Sequence, residues 1–200
     1  MSNVNRPGGL KPVKYMSGAP YNGAANVYYT TAPAAGLFVG DPVTLSGTAD
    51  VNGIAGTVIG TAGSAIIGVV VGIVVVTAGV SLVGSPSPDL TIRSLGANAT
   101  GYILVADDPT LVFEVQDGVA AGTAVTDIGQ NTNFLIAAGA TSYSDSGTTT
   151  AATITGGTTD NLKLIGFVQR DDNTVHAQYA KLLVKINNHV YNASTGTASI

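Results

Sequence analysis

Residues 101–116 place the tightest constraint on how this chain can fold. They read Gly-Tyr-Ile-Leu-Val-Ala-Asp-Asp-Pro-Thr-Leu-Val-Phe-Glu-Val-Gln, with β-branched and aromatic residues on both sides of an Asp-Asp-Pro turn. Proline has no N–H for a sheet ladder, and its ring keeps the preceding residue out of the α region, so the chain changes direction at Asp108. The pattern predicts two strands, at 102–105 and 111–115, joined as a β-arch or a hairpin.

Alternation in the second predicted strand indicates a sheet with one buried face. Phe113 and Val115 lie on one side of an extended chain, and Glu114 and Gln116 lie on the other. We expect the first side to face the core and the second side to face solvent.

Strand patterns of the same kind recur along the chain. Residues 37–45 form another apolar run interrupted by Asp-Pro, and residues 162–169 alternate. Residues 181–187 place Leu182, Val184 and Ile186 opposite Lys181, Leu183 and Lys185. No stretch of ten or more residues has the period of an amphipathic helix. The sequence therefore predicts an all-β fold, as an antiparallel β-barrel or a jelly-roll-like sandwich.

Two turns with an Asp-Pro pair are expected to fix the ends of these strands. They are Asp41-Pro42 and Asp107-Asp108-Pro109. An aspartate at a turn accepts hydrogen bonds from nearby backbone N–H groups, so we assign Asp107 and Asp108 a structural capping role and Asp41 a structural place in its turn. The similarity of the two turns is only weak evidence of an internal duplication, because Asp-Pro is a common turn pair.

The most apolar part of the chain, residues 65–83, is long enough to be a transmembrane candidate. Gly68 and Gly72 have the spacing that lets two membrane helices approach closely. The run is nevertheless rich in Val and Ile, and it lacks basic or aromatic residues at its ends. A buried strand over 69–76, or two short strands broken at Gly72, explains it better, with the glycines marking bulges or close backbone approaches, and we expect no membrane association.

The composition bounds the partners of this chain. Charged residues make up 10% of its 200 residues, the net charge is −4, and there is no cysteine, whereas about a quarter of a typical soluble domain is charged. Without a basic stripe, nucleic-acid binding is not expected. We expect no secretory signal, because the first residues have no apolar core behind a charged start. A surface so poor in charge is suited to extensive contacts with partner proteins, although a neutral, stable β protein would share it.

The N-terminal segment, residues 1–36, is predicted to be an extended arm because it is punctuated by Pro and Gly. It holds Tyr15, Tyr21, Tyr28 and Tyr29, half of the eight tyrosines in the chain. Tyrosine is a rigid anchor at protein interfaces, so these four are candidate contacts with a neighbouring subunit. The alternative is that the arm packs on its own barrel.

The rest of the chain is predicted to be one β domain over 37–190, followed by a flexible tail at 191–200. Residues 84–89, Gly-Ser-Pro-Ser-Pro-Asp, are the best candidate for a break into two halves.

Few side chains in this sequence can perform catalysis. It has two histidines, one glutamate and no cysteine, and it lacks a nucleophile elbow or a phosphate loop. His176 and His189 lack a carboxylate at metal-triad spacing, so we expect both on the surface or at an interface. A small hydrolase using the Asp pairs would need a base and a nucleophile that are not visible. We predict no enzyme activity, no catalytic or metal site and no cofactor.

Five stretches, within residues 10–190, resemble the head decoration proteins, or cement proteins, of tailed bacteriophages, particularly short-tailed phages. They are Leu-Phe-Val-Gly-Asp-Pro-Val at 37–43, Ile-Gly-Val-Val-Val-Gly at 67–72, residues 102–116, Ile-Gly-Phe-Val-Gln-Arg at 165–170 and Leu-Val-Lys-Ile-Asn-Asn-His at 183–189. Asp171 departs from the resemblance, because a proline would be expected there, and the tail after His189 does not match.

The resemblance implies a β-barrel or jelly-roll-like virion protein on the outer surface of an icosahedral head. Such a protein binds the major capsid protein as a homodimer or homotrimer and brings no catalytic residues. We expect the tyrosines of the arm and exposed sheet edges to make the contacts, because an unpaired edge invites strand addition. The alternative is a self-assembling β-domain of a fibre, an adhesin or a surface layer.

Overall fold

The structure is a computed structural model that describes residues 3–74, 92–137, 139 and 145–192. Within these residues the chain forms β-strands and two 3-10 turns, Val125–Asp127 and Val190–Asn192. The predicted all-β class is confirmed. The predicted break at 84–89 and residues 193–200 of the predicted tail lie outside the described residues.

Five strands close into a barrel. In order around its wall they are β2 (Asn26–Thr31), β5 (Ala55–Ile59), β4 (Pro42–Ala49), β6 (Gly68–Val74) and β8 (Thr100–Ala106). Neighbouring strands are antiparallel except β2 and β5, which run parallel. The barrel interior is filled by Tyr28, Ala32, Leu37, Val43, Ile67, Val70, Ile73, Ile103 and Val105.

A five-stranded antiparallel sheet packs against the barrel. Its order is β1 (Lys11–Tyr15), β9 (Leu111–Gln116), β14 (Lys181–Ile186), β13 (Leu162–Phe167) and β10 (Asn131–Thr132). The core between the two layers combines the barrel residues Ile66, Val69 and Ala106 with sheet residues that include Leu111, Phe113, Val115, Leu162, Leu164, Leu182 and Val184. The predicted alternation of β14 is confirmed, because Leu182, Val184 and Ile186 are buried while the intervening residues are partly exposed.

Two pairs of short strands complete the described elements. β3 (Leu37–Phe38) pairs with β7 (Ser94–Leu95), and β11 (Phe134–Leu135) pairs with β12 (Thr149–Thr150). Both pairs are antiparallel and only two residues long, so they contribute little to the main layers.

The turn at 107–109 is a β-arch. β8 pairs with β2 and β6 in the barrel, whereas β9 pairs with β1 and β14 in the open sheet. The chain therefore crosses from one layer to the other at the Asp-Asp-Pro turn. Of the two predicted alternatives, arch and hairpin, the structure has the arch.

Within the part that the structure describes, the apolar run forms one strand, the first of the two predicted alternatives. The register between β6 and β8 slips between Val70 and Gly72, so the glycine marks the expected bulge. A Cβ on Gly68 would collide with the carbonyl oxygen of Ala106, which is the close approach expected of a strand glycine. Among the described residues, no helix has the length and apolarity needed to cross a membrane.

The N-terminal segment is not a separate arm. β1 is an edge strand of the open sheet, and β2 is a wall strand between β5 and β8. A boundary at residue 36 would therefore remove one strand from the barrel and one from the sheet. Local pattern did not reveal these strands because the intervening Pro and Gly turns dominate the segment, whereas partners distant in sequence supply the pairing.

The predicted solvent face of β9 is also only partly correct. Glu114 is partly exposed, but Gln116 is 2% exposed. The N-terminal segment covers it, since the Arg6 N–H donates to Gln116 Oε1 at 2.9 Å and Gln116 Nε2 donates to Asn5 Oδ1 at 2.8 Å. A polar side chain buried in this way is satisfied on both its donor and acceptor atoms.

Candidate contact surface

Two of the four candidate tyrosines form a half-buried pair. The rings of Tyr15 and Tyr21 have centroids 6.4 Å apart and pack partly against the core between the layers. The Tyr15 hydroxyl donates to Asn22 Oδ1 at 3.2 Å, and the Tyr21 hydroxyl donates to the Ala24 carbonyl at 2.9 Å. These contacts fix the turn between β1 and β2, so the pair has a local structural role.

Tyr28 points into the barrel and cannot be a surface contact in this fold. It is 6% exposed, and its hydroxyl donates to Asp107 Oδ2 at 2.6 Å. The Tyr191 hydroxyl oxygen lies 3.3 Å from the Tyr28 hydroxyl oxygen. Burial and the bond to Asp107 raise the pKa of Tyr28. The expectation that Tyr28 contacts a partner is therefore corrected: it joins the barrel to the arch.

Tyr29 faces outward from the barrel wall. Because side chains alternate along a strand and Tyr28 points inward, Tyr29 and Val27 lie on the outer side of β2. Tyr29 is directly opposite Tyr102 of β8, with ring centroids 5.7 Å apart in an edge-to-face arrangement. The Tyr102 hydroxyl donates to Asp50 at 2.5 Å, which raises the pKa of Tyr102 and lowers that of Asp50.

These two tyrosines belong to a larger apolar area on the outer wall. Val27 lies opposite Leu104, and Val58 of β5 extends the same side, with Val27 40% and Val58 41% exposed. We call this area the outer-wall patch; it consists of Val27, Tyr29, Val58, Tyr102 and Leu104. Sequence reasoning identified Tyr29 but missed the other members, although Tyr102 and Leu104 share a face in the alternation of β8.

One aspartate in each Asp-Pro turn caps backbone N–H groups, as predicted for Asp108. Asp41 is 1% exposed and accepts the Phe38 N–H at 2.8 Å just before Pro42 opens β4. Burial raises the pKa of Asp41. Asp108 accepts both the N–H and the hydroxyl of Thr110, at 2.7 and 2.6 Å, and these bonds lower its pKa. Both carboxylates therefore terminate strands by satisfying backbone donors.

Asp107 has a different role from its neighbour. Its carboxylate accepts hydrogen bonds from side chains of β2, with Asn26 Nδ2 3.0 Å from each oxygen and the Tyr28 hydroxyl at 2.6 Å. The prediction of backbone capping is thus wrong for Asp107, which ties the arch to the barrel wall. Sequence distance explains the miss, because its partners lie about eighty residues away.

The two histidines differ in burial. His176 is exposed, as predicted, and its ring packs edge-on against Phe167. His189 is 2% exposed, so its predicted surface position is wrong. Its backbone bridges to Ile66, its Nδ1 accepts the Tyr191 N–H at 3.1 Å, and burial lowers its pKa. Over the described residues, no three His, Asp or Glu side chains are grouped in a way that could hold a metal ion.

The sheet edges are poorly suited to strand addition. β1 carries Lys11, Pro12 and Lys14, and lysine and proline on an edge strand oppose pairing with another chain. The other edge, β10, has only two residues, and a closed barrel has no edge. Side chains of the outer-wall patch are therefore a better candidate contact than the sheet edges.

Known proteins give no further guidance on this surface. The chain matches no protein-family model, no curated protein and no solved structure. We therefore infer a function from the outer-wall patch, the low charge and the residue patterns of the sequence.

Proposed function

We propose that this protein is a structural virion protein that binds the outside of an icosahedral phage head and bridges subunits of the major capsid protein. The observation that carries the proposal is the outer-wall patch, where two tyrosines and three aliphatic residues face outward together. Aromatic anchors of this kind dominate the binding energy of protein interfaces. The patch would supply the contact with the capsid.

The barrel is well suited to present such anchors. Tyr29 and Tyr102 sit on adjacent, fully paired strands, and the bond to Asp50 restrains the second ring. Side chains that are ordered before binding lose less conformational entropy in the complex. The low charge of the chain, at 10% of residues, also limits the cost of desolvating the surface. Both properties favour a permanent contact.

The resemblance to decoration proteins supports the same function. The stretches 37–43, 67–72 and 102–116 correspond to β3 with the start of β4, to β6, and to β8 with β9. They therefore include three barrel strands and the arch to the open sheet. A bound decoration protein adds interface area to a shell under pressure and stabilises it by mass action. A homodimer or homotrimer would place several patches around one symmetry axis.

The proposal is tested by co-sedimentation of the purified protein with heads assembled from the capsid protein of the same phage. The patch variant carries two substitutions, Tyr29→Ser and Val58→Ser, because both side chains lie on the outer side of the barrel wall. The matched control is Val125→Ser with Leu135→Ser, which also removes two apolar residues, 66% and 56% exposed, outside the patch.

We expect saturable binding of the native protein and of the control, and at least about tenfold weaker binding of the patch variant, corresponding to roughly 1.4 kcal/mol or more. Equal binding by both variants would show that the patch is not the contact. Absence of native binding, with fibres or sheets formed by the protein alone, would replace the proposed function by the self-assembling β-domain.

A further inference from the structure

A cleft of about 440 Å³ lies between the N-terminal segment and the outer side of the open sheet. Its volume is within the range of sites that bind small ligands or a few side chains. We call it the basic cleft, defined by the charged residues that line it: Arg6, Lys11, Glu114, Asp145, Asp172 and Lys181. It shares no residue with the outer-wall patch.

The carboxylates of the basic cleft are already paired with two arginines that do not belong to its lining. Arg170 binds both oxygens of Glu114, at 2.8 and 3.1 Å, and its Nε lies 3.0 Å from Asp172. Asp145 is paired with Arg93 at 2.5 Å. These acids are therefore neutralised by side chains other than the lysines of the cleft.

Lys181 has no such partner. Its Nζ donates to the Gln116 side chain at 3.0 Å and to the Arg6 carbonyl at 3.2 Å, which leaves one of its three N–H groups. No carboxylate forms an ion pair with it in the part of the chain that the structure describes. Burial lowers the pKa of Lys181, and the charges around it are Glu114, Lys11, Arg170 and Asp172. A half-buried ammonium of this kind is stabilised when an anion binds it.

The charged groups described around the cleft are mainly basic. Three basic residues line it and two arginines pair with its acids, against three acidic residues among the groups named above. These described groups sum to two net positive charges, in a protein whose net charge is −4. Such a concentration attracts negatively charged groups to one place on the surface.

We propose that the basic cleft binds an acidic peptide segment of a partner protein, with one carboxylate accepting the remaining N–H of Lys181. This site is separate from the proposed capsid contact, and it would exist whether or not the protein binds a phage head. The cleft is short and its acids interrupt the positive field, which disfavours the continuous phosphate backbone of a nucleic acid. A carboxylate on a flexible segment can reach Lys181 without passing close to those acids.

The direct test is isothermal titration of the full chain with an N-acetylated Glu-Asp-Glu-Asp amide, compared with the matching Gln-Asn-Gln-Asn peptide. The variant is Lys181→Met, and the matched control is Lys163→Met, a lysine of β13 outside the cleft whose Nζ bonds to the Gly129 carbonyl. We expect the native protein to bind the acidic peptide saturably. The affinity should be at least tenfold weaker for Lys181→Met, and for the native protein in 1 M salt, but unchanged for Lys163→Met.

A measurement on the unmodified protein guards against misfolding of the variant. Carbodiimide coupling of the acidic peptide should join its carboxylates mainly to Lys181 and Lys11, as located by mass spectrometry. The proposal is overturned by equal affinity for the amide peptide, by stronger binding of a single-stranded oligonucleotide, or by coupling spread evenly over Lys14, Lys163 and Lys185. Because the titration uses no phage head, its result is independent of the proposed function.

Discussion

Replacing Tyr28 by Phe tests one of the bonds that join the barrel to the arch. The substitution removes only the hydroxyl, so the ring still fills the barrel and the wall strands keep their pairing. The main bond lost is the one from the Tyr28 hydroxyl to Asp107 Oδ2, at 2.6 Å, and the longer contact of 3.3 Å with the Tyr191 hydroxyl is lost with it. Asp107 keeps two bonds of 3.0 Å from Asn26, so its carboxylate is not left unpaired.

The magnitude follows from the charge on the acceptor. A hydrogen bond to a charged group contributes about 1.5–3 kcal/mol to stability, and we expect the free energy of unfolding to fall by that amount. For a chain of 200 residues, each 1 kcal/mol lowers the melting temperature by about 2–4 °C, so the expected decrease is roughly 3–12 °C.

The adjacent residue provides the control. Tyr29→Phe also removes one hydroxyl from β2 but keeps the ring beside Tyr102. Among the described residues that hydroxyl makes no hydrogen bond, so we expect a change within about 0.5 kcal/mol. Urea unfolding of both variants, followed by circular dichroism, measures the difference. Equal stability of Tyr28→Phe and Tyr29→Phe would refute the role of the bond.

Alkaline pH tests the same bond in the native protein. The pKa of Tyr28 is raised in the folded state by burial and by Asp107, so folding favours the protonated hydroxyl. This contribution is fully present below the unfolded value of about 10 and is lost as the pH rises above it. Between pH 9 and about 11, we expect the free energy of unfolding to fall more for the native protein than for Tyr28→Phe. An equal fall in both proteins would contradict the stabilising role of the Tyr28 hydroxyl.

Two further predictions concern the arch region and the barrel wall. Burial lowers the pKa of His189, so folding favours its neutral ring and the free energy of unfolding should fall as the pH drops below about 6.5. His189→Asn keeps an acceptor for the Tyr191 N–H, and its free energy of unfolding in urea should change less between pH 7 and about 5. An equal pH dependence of the native protein and the variant would contradict this role of His189. Gly68→Ala should cost about 1–3 kcal/mol because its methyl group meets the Ala106 carbonyl. Thermal melts of this variant are compared with those of Gly166→Ala, whose added methyl group meets nothing within 4 Å and should be nearly neutral. Similar losses of stability in both variants would refute the packing argument.

The local pattern of the sequence was enough for several elements. Alternation placed the buried residues of β14 correctly, proline placed the turns at Asp41 and Asp108, and Gly72 marked the bulge in β6. Each of these features depends on residues close together in the chain. The side-chain period of a strand and the fixed φ of proline act over a few residues. The residues that determine these features therefore all lie within one short segment of the sequence.

The candidate site was less predictable. Tyr29 could be proposed as a contact because tyrosine is an interface residue, but the sequence did not distinguish it from Tyr28, whose side chain points the opposite way. The direction depends on which side of β2 faces the barrel interior. That choice is made by the pairing of β2 with β5 and β8, not by any residue of the segment.

By itself, the sequence determined that this chain is all-β, where its clearest strands and turns lie, and that its surface carries little charge. Only the tertiary structure decided that 107–109 is an arch between two layers, that His189 is buried, and that the basic cleft exists. The Arg6 backbone and Gln116 that meet beside this cleft are 110 residues apart. The physical reason is that these features arise from contacts between distant segments, and such contacts leave no periodic signal in either segment alone.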